Sequence, residues 1–250
     1  FETNGNCYCH FFYPEIKKAF GEEKVKDIEK ELITKDENIF DQFDEKRNEG
    51  ENDSFICSLI RQDLVQEFIQ YVNRNTISLE SEVKSSIFET NNFLIENKST
   101  TLIEYSAFFG SIQIFQYLVL NKVELKPSLW LYAIHSQNAE LIHLLEYYSI
   151  SPPNGKYDQC LYESIKCHHN EIGEYIENNL QDKYLYQMNQ NENKFVHLNC
   201  LKYHNYVYFP SVFENGDEFY YLYRNEYKTF VKIFIEMKEE YIKEMIVEKI

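Results

Sequence analysis

Between Thr101 and Leu125 the apolar residues fall into two short clusters of helical spacing separated by a glycine. A small pair, Ser106-Ala107, precedes Gly110, and an apolar set, Ile114, Phe115 and Leu118, follows it. This pattern predicts helix, tight turn, helix: the small pair admits a close neighbour, Gly110 supplies a left-handed cap, and the i, i+1, i+4 set faces a core. The pattern returns. Ile103, Ser106, Ala107, Ile114, Phe115, Leu118 and Val123 are matched 27 positions later by Trp130, Ala133, Ile134, Leu141, Ile142, Leu145 and Ile150. A further 31 positions on, Leu161, Ser164, Ile165, Ile172, Tyr175 and Ile176 match Trp130, Ala133, Ile134, Leu141, Leu144 and Leu145, with Gly173 in place of Ile142. Upstream, Phe68, Ile69, Val72, Asn75, Ile77 and Leu79 form a first copy, 46 positions before Ile114, Phe115, Leu118, Asn121, Val123 and Leu125. It carries an insertion, roughly Glu80 to Lys98, with a short helical pattern of Ile87, Phe88, Phe93 and Leu94. Leu222, Phe230, Val231 and Phe234 make a weak last copy. Recurrence at 20 to 50 residues marks stacked repeats, in which no unit buries its apolar face alone.

The ends differ. Tyr13 to Ile33 opens with Pro14 and spaces Ile16, Phe20, Val25, Ile28 and Leu32 as one or two amphipathic helices, followed by another at Asn38 to Arg47. Arg47 to Ser54 has no apolar residue and contains Gly50, so a loop is expected there, with Asp53 or Ser54 as the next N-cap. Gln181 to Asp217 is rich in Asn and Tyr and poor in periodicity. The predicted organisation is a helical cap over 1–50, repeats over 51–180, and a degenerate repeat with C-terminal helices over 181–250. Opening at Phe1 and closing on the helical pattern Glu239 to Ile250, the sequence is expected to be a fragment or a processed chain.

The segments Leu102-Ile103-Glu104-Tyr105-Ser106-Ala107-Phe108-Phe109-Gly110-Ser111 and Ser128-Leu129-Trp130-Leu131-Tyr132-Ala133-Ile134-His135 resemble the ankyrin repeat, in the divergent form expanded in flagellated protists. The likeness covers about Asn52 to Leu180 and, more weakly, Glu218 to Met237. It departs from the general pattern in placing Leu102 where a Pro follows the opening Thr, Glu104 where His is usual, and in spacings shorter than the usual period of about 33. Shortened or missing β-hairpin tips are therefore expected. The resemblance implies an all-α, ankyrin-like helical solenoid that binds proteins and has no chemistry of its own. It also implies where partners bind: the loops joining the units and the two residues after each small pair. Those residues are Phe108 and Phe109, His135 and Ser136, Lys166 and Cys167, with Arg61 and Gln62 aligned less securely.

Composition agrees with an all-helical chain, since 44 % of the 250 residues are hydrophobic while Gly (7) and Pro (5) are scarce. A net charge of -16 repels phosphate backbones and anionic lipid. Neutral or basic proteins are the expected partners, with neither nucleic acid nor a membrane among them. Six Cys in a chain with this much core read as reduced thiols, and no apolar run approaches 18 residues. A soluble cytoplasmic protein is expected.

The candidate chemistry is thin. Cys7-x-Cys9-His10 offers soft ligands without a second pair at finger spacing, and the bland alternative is a frayed terminus. His197, Cys200 and His204 can share a helix face, yet three ligands on one helix rarely converge on an ion. Cys160, Cys167, His168 and His169 look like a thiol beside a base, but the repeat pattern buries Cys160 and puts the histidines in a solvated turn. The glycines form neither G-x-G-x-x-G nor G-x-x-x-x-G-K, and H-E-x-x-H is absent. No catalytic residue, cofactor or metal ligand is assigned. The expected function is a non-catalytic adaptor or scaffold. The alternative is a permanent structural component of a larger assembly, such as a cytoskeletal one.

Overall fold

The computed structural model describes residues 9–180, 199–200, 202–205, 207 and 232. Cys7, His197, the repeat positions Leu222, Phe230, Val231 and Phe234, and the C-terminal helices lie outside them. The described residues are mostly helical, with no strand; one isolated antiparallel bridge joins Glu82 and Thr101. The chain forms two compact units, Phe1–Leu125 and Lys126–Ile250, dividing inside the region read as repeats.

Unit 1 opens with α1 (Tyr13–Phe20), which carries Pro14 in its first turn, and α2 (Glu22–Lys35). The third helix, α3 (Phe43–Glu49), starts later than the Asn38 to Arg47 pattern suggests, because Gln42 takes a left-handed conformation just before it. It also runs past Arg47, which shortens the expected loop to 50–54. Arg47 stays helical because its guanidinium forks onto the Glu15 carboxylate, with both N–H···O distances 2.7 Å. Gly50 ends α3 at φ +69°, and a Cβ there would stand 2.9 Å from the Thr90 hydroxyl oxygen, so only glycine fits. Tyr13, Val25, Leu32, Ile39 and Phe43 share one core with Phe88, so the N-terminal helices pack on the insertion.

Two helix pairs complete the unit: α4 (Phe55–Arg61) with α5 (Val65–Asn75), and, beyond the short insertion helix α6 (Asn92–Glu96), α7 (Leu102–Phe109) with α8 (Ile112–Leu120). First helix packs on first, α4 on α7, and second on second, α5 on α8. Ser54 stands at the N-cap of α4 without a side-chain capping bond. By contrast, Thr101 and Glu104 form a reciprocal capping box at the start of α7, and Gly110 closes that helix at φ +68°.

Unit 2 repeats the arrangement with α9 (Leu129–His135), α10 (Ala139–Tyr147), α11 (Asp158–Lys166) and α12 (Asn170–Tyr175), which runs into a π turn over Ile176–Leu180. α9 packs on both α10 and α11. Trp130 is fully buried and donates its indole N–H to the Ile150 carbonyl at 2.8 Å. Its polar edge is thereby satisfied, and the residue serves as core.

The turns recur more strictly than the apolar residues do. Left-handed residues stand at Asp63, Gly110, Gln137 and His168 after first helices, at Thr76, Lys122 and Ser149 after second helices, and at His204. After three first helices a backbone N–H reaches the carbonyl five residues back, Leu64 to Leu59, Ser111 to Ser106 and His169 to Ser164, and Asn205 makes the same bond to Cys200, at 2.8 to 3.0 Å. At the remaining place the Ser136 hydroxyl bridges, donating to the Ala133 carbonyl and accepting from Asn138 N–H. Ile77, Val123 and Ile150 close the second helices in the same way on Val72, Leu118 and Leu145. These bonds satisfy carbonyls that a helix end otherwise leaves orphaned.

Candidate functional site

The residues expected to meet partners lie where first helices end, and the two units treat them differently. In unit 1, Phe108 is buried: the Phe93 ring of the insertion stacks on it at 5.9 Å with a 17° interplanar angle. Phe108 is therefore removed as a surface anchor, because the insertion covers it. Phe109 keeps part of its surface while packing on Tyr105 and Phe108 with ring centroids 4.8 and 5.0 Å away. Arg61 is turned inward, ion-paired with Glu51 and donating to the Asn52 carbonyl and the Tyr105 hydroxyl. Gln62 is exposed.

Behind those residues lies a pocket of about 300 Å³ whose walls include Asn52, Glu89, Leu94 and Tyr105. One Glu89 oxygen accepts the Asn91 N–H at 2.8 Å, while the other is buried without a hydrogen-bond partner. Burial pushes the Glu89 carboxyl above its ordinary value, against the backbone N–H groups of Asn91 and Asn52 and the charge of Arg61. Burial likewise raises the Cys57 thiol and the Tyr105 phenol.

In unit 2 three of the residues expected to meet partners, His135, Lys166 and Cys167, come together. His135 ends α9, and the Glu163 carboxylate on α11 meets its Nε2 at 3.0 Å. Lys166, one turn later, donates to the same oxygen at 3.0 Å. The Cys167 sulfur lies 3.7 Å from His135 Nε2 and 3.8 Å from Glu163 Oε1. Burial pushes the Glu163 carboxyl up, but the hydrogen bonds from His135 and Lys166 outweigh it and hold it below the ordinary carboxylate value. Cys167 is pushed up to about 12, first by burial and then by the Glu163 charge. A thiol so protonated at neutral pH is a poor nucleophile, and its histidine neighbour is His135 rather than His168 or His169.

The adjacent histidines have separate duties. His168 is exposed, in a left-handed turn, whereas His169, read as solvated, binds the Ile134 carbonyl at 2.7 Å. Its position is equivalent to Ser111, which donates to the Ile60 carbonyl, and to Asn205, which donates to the Ile165 carbonyl at 2.9 Å. One kind of bond thus ties each of these turns to a carbonyl near the end of the preceding first helix, through three different side chains. In the N-terminal cluster, His10 is no frayed residue: it is helical, buried, and bonded to Glu31 at 2.9 Å. The described cysteines Cys9, Cys57, Cys160, Cys167 and Cys200 are free thiols. Cys160 and Cys200 are buried, and burial raises the Cys160 thiol to about 12. Among the described residues no helix is long and apolar enough to cross a membrane.

No family model, no curated protein and no solved structure matches the chain.

Proposed function

We propose that this chain is a non-catalytic protein-binding module of the ankyrin-like helical-repeat kind, whose partner surface is built where first helices end. The observation that carries this reading is the repeated turn: the same left-handed residue and the same five-residue back-bond recur at Leu59, Ser106, Ser164 and Cys200. A chain that invests in identical scaffolding while varying the neighbouring side chains has the character of a recognition surface, because loops and helix ends on a rigid frame change without disturbing the core. In unit 1 Phe109 presents the variable chemistry with Phe108 supporting it from beneath, and in unit 2 His135, Ser136, Lys166 and Cys167 do so. The net charge of -16 favours partners with neutral or basic surfaces.

Cross-linking of partners captured by the full chain, followed by mass spectrometry, tests the surface. Cross-links are expected at Lys166 and near Phe109, and Phe109→Ala is expected to weaken binding of the captured partner about tenfold, the scale of an aromatic anchor. Cross-links confined to second helices would overturn the assignment. One observation favours the structural-component alternative: Leu120 and Tyr147, at the same place in α8 and α10, are 78 % and 79 % exposed. A permanent assembly would cover both, within an apolar interface exceeding roughly 2,000 Å².

A further inference from the structure

We infer that unit 2 carries a site for one zinc-class divalent ion, formed by His135, Glu163 and Cys167. The three side chains come from the last turn of α9, from α11, and from the residue that follows α11, and their ligand atoms all lie within 4.8 Å of one another. The separations are 3.0 Å from Nε2 to Oε1, 3.7 Å from Nε2 to Sγ, and 3.8 Å from Oε1 to Sγ. A tetrahedral ion with bonds of about 2.0 to 2.1 Å to N and O and about 2.3 Å to S needs ligand separations of about 3.3 to 3.6 Å. The site therefore closes on such an ion with movements of a few tenths of an ångström. One imidazole, one carboxylate and one thiolate suit zinc or cobalt and exclude the all-oxygen preferences of magnesium and calcium.

The surroundings support entry and retention. His135 and Glu163 side chains are 11 % and 15 % exposed, enough for solvent to reach a fourth position while the stems stay packed. The helices hold the ligands in place, the Cys167 N–H bonding the Glu163 carbonyl at 2.9 Å. In the structure the imidazole and the Lys166 ammonium bind Glu163 Oε1. The ion replaces both: the proton that His135 Nε2 donates to Glu163 moves to Nδ1, and Lys166, 35 % exposed, turns to water. The Cys167 S–H bond breaks as the S–metal bond forms, so one proton is released to solvent for each ion bound.

Titration of the full chain with cobalt(II), under reducing conditions and against a competing chelator, tests the site. One equivalent should bind with a thiolate-to-cobalt charge-transfer band and release one proton. Cys167→Ser, nearly isosteric and checked for fold by circular dichroism, should abolish the band, and Glu163→Gln should weaken binding at least tenfold. Lys166→Met, which removes the rival cation, should tighten it, an effect that a purely structural ion pair would not produce. Absence of the band, or its survival in Cys167→Ser, would overturn the site.

Discussion

Both units place a partly buried glutamate behind the ends of their first helices, and the two carboxylates respond oppositely. Glu163 in unit 2 receives His135 and Lys166 on one oxygen and is held below the ordinary carboxylate value. Glu89 in unit 1 has a backbone N–H bonded to one oxygen and no side-chain donor on the other, and burial drives it upward. Unit 1 has a cation at hand, but Arg61 is committed to Glu51, Asn52 and Tyr105. Where a carboxylate titrates is decided by the donors delivered to it more than by its depth.

A carboxylate given no donor at all takes that comparison to its limit. Ala107 and Ala133, each fully buried in a first helix, allow the neighbouring helix to approach closely. Ala107→Glu and Ala133→Glu should each cost several kcal/mol, the scale of an unpaired buried charge, and unfold the surrounding helix pair. Loss of helical circular dichroism and of amide-exchange protection over 102–120 or 129–147 would show it. Native protection in either variant would mean that the core there is loose enough to admit water.

Glu163→Gln should have the next largest effect. It removes the negative acceptor from two charged-group hydrogen bonds at a partly exposed site, so about 1 to 2 kcal/mol is expected after allowance for solvent screening. The sign of the pH dependence follows from the lowered folded value. Stability from Glu163 is fully present above its unfolded pKa, about 4.3, and is lost as pH falls through the lower folded pKa. Melting curves of wild type and Glu163→Gln should therefore converge as pH falls through that folded value. A gap unchanged by acid would mean that the glutamine disturbs packing rather than charge.

The helix pairs were legible in the sequence because burial repeats: Ile103, Trp130 and Leu161 are apolar at one position, and Ser106, Ala133 and Ser164 are small at another. The bonds between pairs were not, since Ser111, His169 and Asn205 do one job with three chemistries and leave no residue pattern. The helix end at 47–49 was missed for a related reason. Polar residues on a solvated turn carry no hydrophobic period, and the pairing of Arg47 with Glu15 joins positions far apart in sequence. The cluster of His135, Glu163 and Cys167 draws on two helices and matches no local motif. A usable signal existed in the repeat spacing itself, which sets His135 level with Lys166 and so brings Glu163, one turn earlier on α11, within reach. The cover over Phe108 depends on how the insertion folds, and only tertiary structure shows Phe93 stacked on it.

Glu89→Gln should have the smallest effect, and its direction is the opposite of that at Glu163. The glutamine carbonyl can keep the Asn91 N–H, while an amide replaces the oxygen that lacks a partner and removes a charge that burial disfavours. A gain of up to about 1 kcal/mol at pH 7 is expected, the low end of the cost of an unsatisfied buried polar group. Because the folded pKa of Glu89 is raised, its penalty grows as pH rises from the unfolded value near 4.3 to the folded value, and is absent below both. The gain from Glu89→Gln should accordingly grow as pH rises through the folded value and vanish in acid, where wild-type Glu89 is protonated and as neutral as the amide. Thermal melts of both proteins from pH 3 to pH 8 would check this. A variant less stable than wild type at pH 7 would show that the Glu89 charge is engaged, with Arg61 the nearest candidate, and that the contrast between the two units is one of degree rather than sign.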